Sequence, residues 1–90
     1  MREYIYETFA EKVGLPVSAL TEGDPTLADL IQRSPKLVNS VDLMEAFART
    51  ANALKRDHGV KVRLGAFPLD TPVSRVFDAF MAEIAAKEAQ

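Results

Sequence analysis

Residues 39–58 read NSVDLMEAFARTANALKRDH and carry the strongest helical pattern in the chain. Apolar side chains recur there every three or four residues, at Leu43, Phe47, Ala51 and Leu54. This spacing predicts an amphipathic helix from about Ser40 to His58, with its apolar face on a core. Asn39 or Ser40 is expected to cap its first turn, and Gly59 is expected to end it.

Two more long helices are predicted on either side of this segment. The first covers about Arg2–Val13, where apolar side chains repeat with helical spacing, and Gly14 supplies its left-handed stop. The last is expected to have Asp70 or Thr71 as its N-cap and Pro72 at its first position. The helical pattern of this segment weakens through residues 85–88.

The connections between the helices differ in length. Residues 14–38 are expected to be mostly an ordered loop held by apolar side chains, with a short helical turn beginning near Thr26. Residues 60–64 alternate apolar and charged side chains, but no second strand is available, so we expect an extended segment followed by an irregular turn. The predicted fold is all-α, a small helical bundle of three main helices, a long first loop and a short connector helix or turn, in one domain over 1–90.

Composition excludes several classes of function. The chain is 48% hydrophobic and 27% charged with a net charge of −2, so a nucleic-acid partner is not expected. It has no cysteine and one histidine, which excludes thiolate and multi-histidine metal sites. Its apolar runs are too short for membrane insertion, and we expect a cytoplasmic protein. No set of side chains predicts catalysis, so an enzyme is not expected.

The order of these parts resembles an acyl carrier protein over nearly the whole chain. The resemblance is carried by five segments in order, which are 9–15 (FAEKVGL), 26–30 (TLADL), 39–41 (NSV), 59–62 (GVKV) and 69–76 (LDTPVSRV). The third segment stands where the family has Asp-Ser-Leu. The resemblance depends on all five segments together, in this order and at these spacings.

The resemblance implies a function as a non-catalytic carrier. Ser40 would be esterified by 4′-phosphopantetheine, which a separate phosphopantetheinyl transferase takes from coenzyme A. Asn39 stands where the family's aspartate helps that transferase bind its metal and substrate. The arm's thiol would hold an acyl group as a thioester for acyl-loading and acyl-accepting enzymes, with the carrier acting as a monomer. Four residues of the second helix are expected to contact these partners: Val41, Asp42, Met44 and Glu45.

The chain departs from the family pattern in three respects. It has Asn39 in place of an aspartate, Ser40 lies ten positions after Leu30, and the second helix is long and mixed in charge. These departures predict a specialised carrier for a fatty-acid, lipid or polyketide-type pathway, with dedicated partners. Three alternatives stay open: Ser40 serves only as an N-cap, the domain is an unmodified helical interaction module, or it is a peptidyl or aminoacyl carrier of a nonribosomal system.

Overall fold

The described part of the protein is a bundle of helices. The computed structural model describes residues 2–63 and 67–88. Within them the helices are α1 (Arg2–Val13), α2 (Val17–Thr21), α3 (Leu27–Arg33), α4 (Ser40–His58) and α5 (Val73–Glu88). The prediction of a small all-α bundle based on three long helices is confirmed, and α1 and α4 have the predicted bounds.

Phe9 joins the three long helices. Its ring is fully buried and lies parallel to Phe47 of α4, with centroids 4.8 Å apart. It also meets Phe77 of α5 edge to face at 5.5 Å. Such aromatic pairs add about 0.5–1.5 kcal/mol to the stabilisation that burial provides. Leu20 of α2 and Leu30 of α3 belong to the same apolar cluster, so the five helices share one core.

The long first loop contains more helix than the sequence predicted. The expected turn near Thr26 is α3, and its N-terminus is closed by a capping box. The Asp29 N–H donates to the Thr26 hydroxyl at 3.2 Å, and the Thr26 N–H donates to the Asp29 carboxylate at 2.9 Å. The hydrogen bond from the Thr26 backbone, and then one from the Thr26 side chain, lower the pKa of the Asp29 carboxyl. The other short helix, α2, was not predicted because its five residues bury only Leu20 and leave no repeating pattern.

The start of α5 differs by one residue from the prediction. Pro72 does not open the helix, which begins at Val73, because Pro72 forms an isolated antiparallel bridge with the first loop. The Leu27 N–H donates to the Thr71 carbonyl at 3.0 Å, and the Val73 N–H donates to the Pro25 carbonyl at 2.8 Å. This pairing keeps the chain out of the helix until Val73.

The segment after α4 follows the prediction where it is described. Gly59 has a positive φ of 70° and ends α4 in the left-handed conformation, with its N–H donating to the Lys55 carbonyl at 2.9 Å. Residues 60–63 form neither helix nor strand, and Val62 is buried against the core. The predictions for residues 64–66 lie outside the described residues.

A polar contact ties the first turn of α1 to the last turn of α4. The Tyr4 hydroxyl donates to the Asp57 carboxylate at 2.7 Å, and Arg56 donates to the same carboxylate at 2.9 Å. The Tyr4 ring also meets the His58 ring edge to face at 4.5 Å. Hydrogen bonds from Arg56 and then Tyr4 lower the pKa of Asp57 to about 2. Since the start of α1 meets the end of α4, the two helices are antiparallel.

This contact predicts a specific dependence of stability on acid. Asp57 has a folded pKa of about 2 against 3.8 for a free carboxyl, so its ionised form stabilises the fold above 3.8. That stabilisation is lost as the pH falls from 3.8 through 2. We expect Asp57→Asn to flatten the fall in melting temperature across this range, as measured by circular dichroism. Asp70→Asn is the control, and an equally steep fall in Asp57→Asn would contradict the assignment.

Candidate functional site

Asn39 is the N-cap of α4. Its backbone is extended, with φ −150° and ψ −178°, and its side-chain oxygen accepts hydrogen bonds from two N–H groups of the first turn. The donors are Val41 at 3.0 Å and Asp42 at 3.1 Å. Of the two predicted caps, the structure therefore selects Asn39, and Ser40 becomes the first residue of the helix.

Ser40 is left with an exposed hydroxyl. Its side chain lies on the surface, and its hydroxyl makes no hydrogen bond to another group in residues 2–63 and 67–88. The alternative in which Ser40 acts only as the cap is therefore wrong, because Asn39 performs that role. The helix dipole makes this position favourable for a negative group, although Asn39 already uses two of the first-turn donors.

Asp42 forms a hydrogen bond with the loop that precedes α4. Its carboxylate accepts a hydrogen bond from the Val38 N–H at 2.8 Å. In a capping box the third helical residue would bond to the N–H of the cap itself, so this contact reaches one residue further back. Asp42 is half-buried as a result, whereas Glu45, the other acid predicted for partner contact, is exposed.

Three apolar side chains stand on the surface around Ser40, and we call them the apolar rim: Val38, Val41 and Met44. Their exposed fractions are 80%, 62% and 42%, while Leu43 between them is buried in the core. The exposure of Val41 and Met44 and the burial of Leu43 agree with the sequence prediction. Clustered exposed apolar groups are typical of a surface that binds another molecule.

The sequence did not predict that Val38 is exposed on the surface beside Ser40. A residue directly before an N-cap commonly packs against the fourth helical residue, here Leu43, as a hydrophobic staple. In this protein Leu37 is buried instead, and Val38 points outward. The sequence Leu37-Val38-Asn39 holds no signal for which of the two apolar residues turns inward.

The loop before Ser40 is fastened to the end of α1. The buried Ser34 hydroxyl donates to the Val13 carbonyl and accepts from the Lys36 N–H at 3.1 Å. This anchor fixes the direction from which the chain reaches α4. It also excludes Ser34 as an exposed attachment point. Ser74 is half-buried, and its hydroxyl donates to Asp24 at 3.0 Å.

Across 2–63 and 67–88, no group of three or more histidine or acidic side chains could hold a metal ion. No helix in these ranges has both the length and the apolar character needed to cross a membrane.

Comparison with known proteins gives no relative for this chain. No family model matches it, and no curated protein or solved structure is similar to it at a significant level. The observations that bear on function are therefore the geometry around Ser40 and the order of the sequence segments.

The division of roles between Asn39 and Ser40 can be tested by stability measurements. We expect Asn39→Ala to lower the free energy of unfolding by about 1 kcal/mol, because it removes the cap. Asn39→Asp keeps a capping oxygen and should change it by only a few tenths of a kcal/mol. Ser40→Ala should also have little effect in urea denaturation. A loss in Ser40→Ala as large as that in Asn39→Ala would contradict this division.

Proposed function

We propose that this protein is a carrier of covalently bound acyl groups, with 4′-phosphopantetheine attached to Ser40. The observation that supports the proposal best is the exposed Ser40 hydroxyl in the first turn of α4, free of any capping role because Asn39 supplies the cap. The resemblance of five ordered segments to acyl carrier proteins supports the same function.

The attachment reaction follows from the chemistry of coenzyme A. The Ser40 oxygen attacks the phosphorus that bears the pantetheine arm, forming a P–O bond. The bond from that phosphorus to the bridging oxygen of the diphosphate breaks, and 3′-phosphoadenosine 5′-phosphate leaves. A base of the transferase takes the hydroxyl proton. The product places a phosphodiester at the start of α4, where the helix dipole favours a negative charge.

The surroundings of Ser40 suit transient docking of partner enzymes. The apolar rim supplies the desolvated centre of a small interface, and Glu45 supplies an exposed charge at its edge. A small contact surface gives weak, reversible binding, which a carrier that visits several enzymes requires. The flexible arm then raises the local concentration of cargo at the docked enzyme. We therefore propose acyl-loading and acyl-accepting enzymes as the partners, with a monomeric, cytoplasmic, non-catalytic carrier serving a specialised fatty-acid, lipid or polyketide-type pathway.

A second candidate function is an interaction module that is never modified. Asn39 favours it, because the uncharged amide replaces the aspartate of the family and its oxygen is engaged by two backbone N–H groups. The apolar rim would then bind one partner directly. A peptidyl or aminoacyl carrier of a nonribosomal system would share the chemistry at Ser40 and differ only in cargo.

Modification of Ser40 is tested directly by mass spectrometry. The purified protein is incubated with coenzyme A and a broad-specificity phosphopantetheinyl transferase. We expect the intact mass to rise by one phosphopantetheine group in the wild type and in Ser18→Ala, which removes another exposed serine. Ser40→Ala should stay unmodified because it lacks the attacking oxygen.

The variant Asn39→Asp distinguishes a carrier that the transferase modifies slowly from a module that is never modified. If the missing charge limits the transferase, Asn39→Asp should be modified faster than the wild type while Ser40 keeps its position. Absence of modification in both proteins, with every transferase of the source organism tried, would favour the unmodified interaction module.

A further inference from the structure

A cationic pocket is formed by the segment that follows α4 and by α5, and Ser40 is not among its lining residues. Its volume is about 300 Å³, and four charged side chains line it within the described part of the chain: Lys61, Arg63, Glu83 and Lys87. The first two belong to the segment after α4, and the last two belong to α5. Because α4 has 19 residues, its two ends are about 28 Å apart.

The positions of these four residues on the backbone account for their charged side chains lining the same pocket. Lys61 and Arg63 flank Val62, which is buried in the core, so the two charged side chains are left exposed. Glu83 and Lys87 are four residues apart in α5 and therefore lie one turn apart on the same face. Two separate elements thus contribute charged groups to one concave site.

The charges in the pocket are not balanced. Three cations and one carboxylate give it a net charge of +2, whereas the whole chain has a net charge of −2. None of the three cations lies within ion-pair distance of Glu83, as the ion pairs among the described residues are Arg2–Asp78 and Arg56–Asp57. Like charges that line a concavity concentrate the positive potential there and attract anions.

We propose that this pocket binds a small phosphate-bearing anion of the size and charge of pyrophosphate. Arg63 can bind two oxygens of one phosphate in a fork, and the lysines can contact further oxygens as point charges. Three cations from two elements fit a ligand with several charges and several oxygens. A monocarboxylate offers one charge and two coplanar oxygens, which Arg63 alone would satisfy. The volume lies at the lower end of the range for small-molecule sites.

The proposal excludes a nucleic-acid strand as the ligand. A strand is bound by cations that extend along a surface, whereas these cations are confined to one pocket of an acidic protein. Glu83 allows the effect of a negative charge on anion binding to be tested within the same pocket. Its carboxylate repels a bound anion, so removal of its charge should tighten binding, whereas removal of any pocket cation should weaken it.

The experiment is a titration of the full chain with pyrophosphate at low salt, followed by amide NMR shifts. We expect saturable shifts concentrated at the four pocket residues. Lys61→Gln and Lys87→Gln should each raise Kd about tenfold, and Arg63→Gln should raise it at least as much, since each loses a charge-assisted contact. Glu83→Gln should lower Kd. Arg49→Gln, which removes an exposed cation outside the pocket, should leave Kd unchanged.

Three results would overturn the proposal. The first is no saturation at about 10 mM pyrophosphate, an affinity too weak for a built site. The second is equal weakening by Arg49→Gln and by the pocket variants, which would indicate non-specific attraction. The third is binding to vesicles of anionic lipid without binding of free pyrophosphate. Unchanged thermal melts of the variants, whose altered cations are exposed, keep loss of binding distinct from loss of fold.

Discussion

The burial of Phe9 between Phe47 and Phe77 is the contact on which the rest of the structure depends. It places one ring from α1 against rings from α4 and α5, so the three long helices meet at a single point of the core. Because α1 and α4 are antiparallel, α4 begins beside the end of α1. The first loop therefore starts and ends at this level of the bundle, and the bond from Ser34 to Val13 fastens its final part there. The position of Ser40 is therefore a consequence of the core.

The two ends of α4 have different chemistry. Its N-terminus presents a free hydroxyl and an apolar rim, with Asn39 and Asp42 securing the backbone. The segment that follows its C-terminus contributes, with α5, to a pocket of net positive charge. We propose covalent attachment and protein docking at the first surface, and binding of a small anion at the second.

The sequence predicted the parts of the fold that follow from long repeating patterns. Helices α1 and α4 have three or more turns of apolar spacing and a glycine stop, and their predicted bounds are confirmed. The sequence did not predict the features for which several weak local signals compete. Helix α2 is too short to show a period, and Pro72, a strong helix-start residue, is held outside α5 by its pairing with the first loop. That pairing joins residues distant in sequence, and local propensity carries no information about it.

The sequence likewise predicted some features of the candidate site and not others. Burial of Leu43 and exposure of Val41 and Met44 follow from helical register, and all three are observed. The choice of Asn39 over Ser40 as the cap depends on the path of the loop, which the sequence does not reveal. The same is true of the outward turn of Val38.

The central claim is that Ser40 carries a phosphopantetheine arm in the cell. Its most direct test is tandem mass spectrometry of the peptide containing Ser40, from protein isolated from its own source under conditions that preserve phosphodiesters. We expect a fraction of that peptide to carry one phosphopantetheine group, with fragment ions locating it on Ser40. A peptide found only in unmodified form, or the group located on another serine, would contradict the claim.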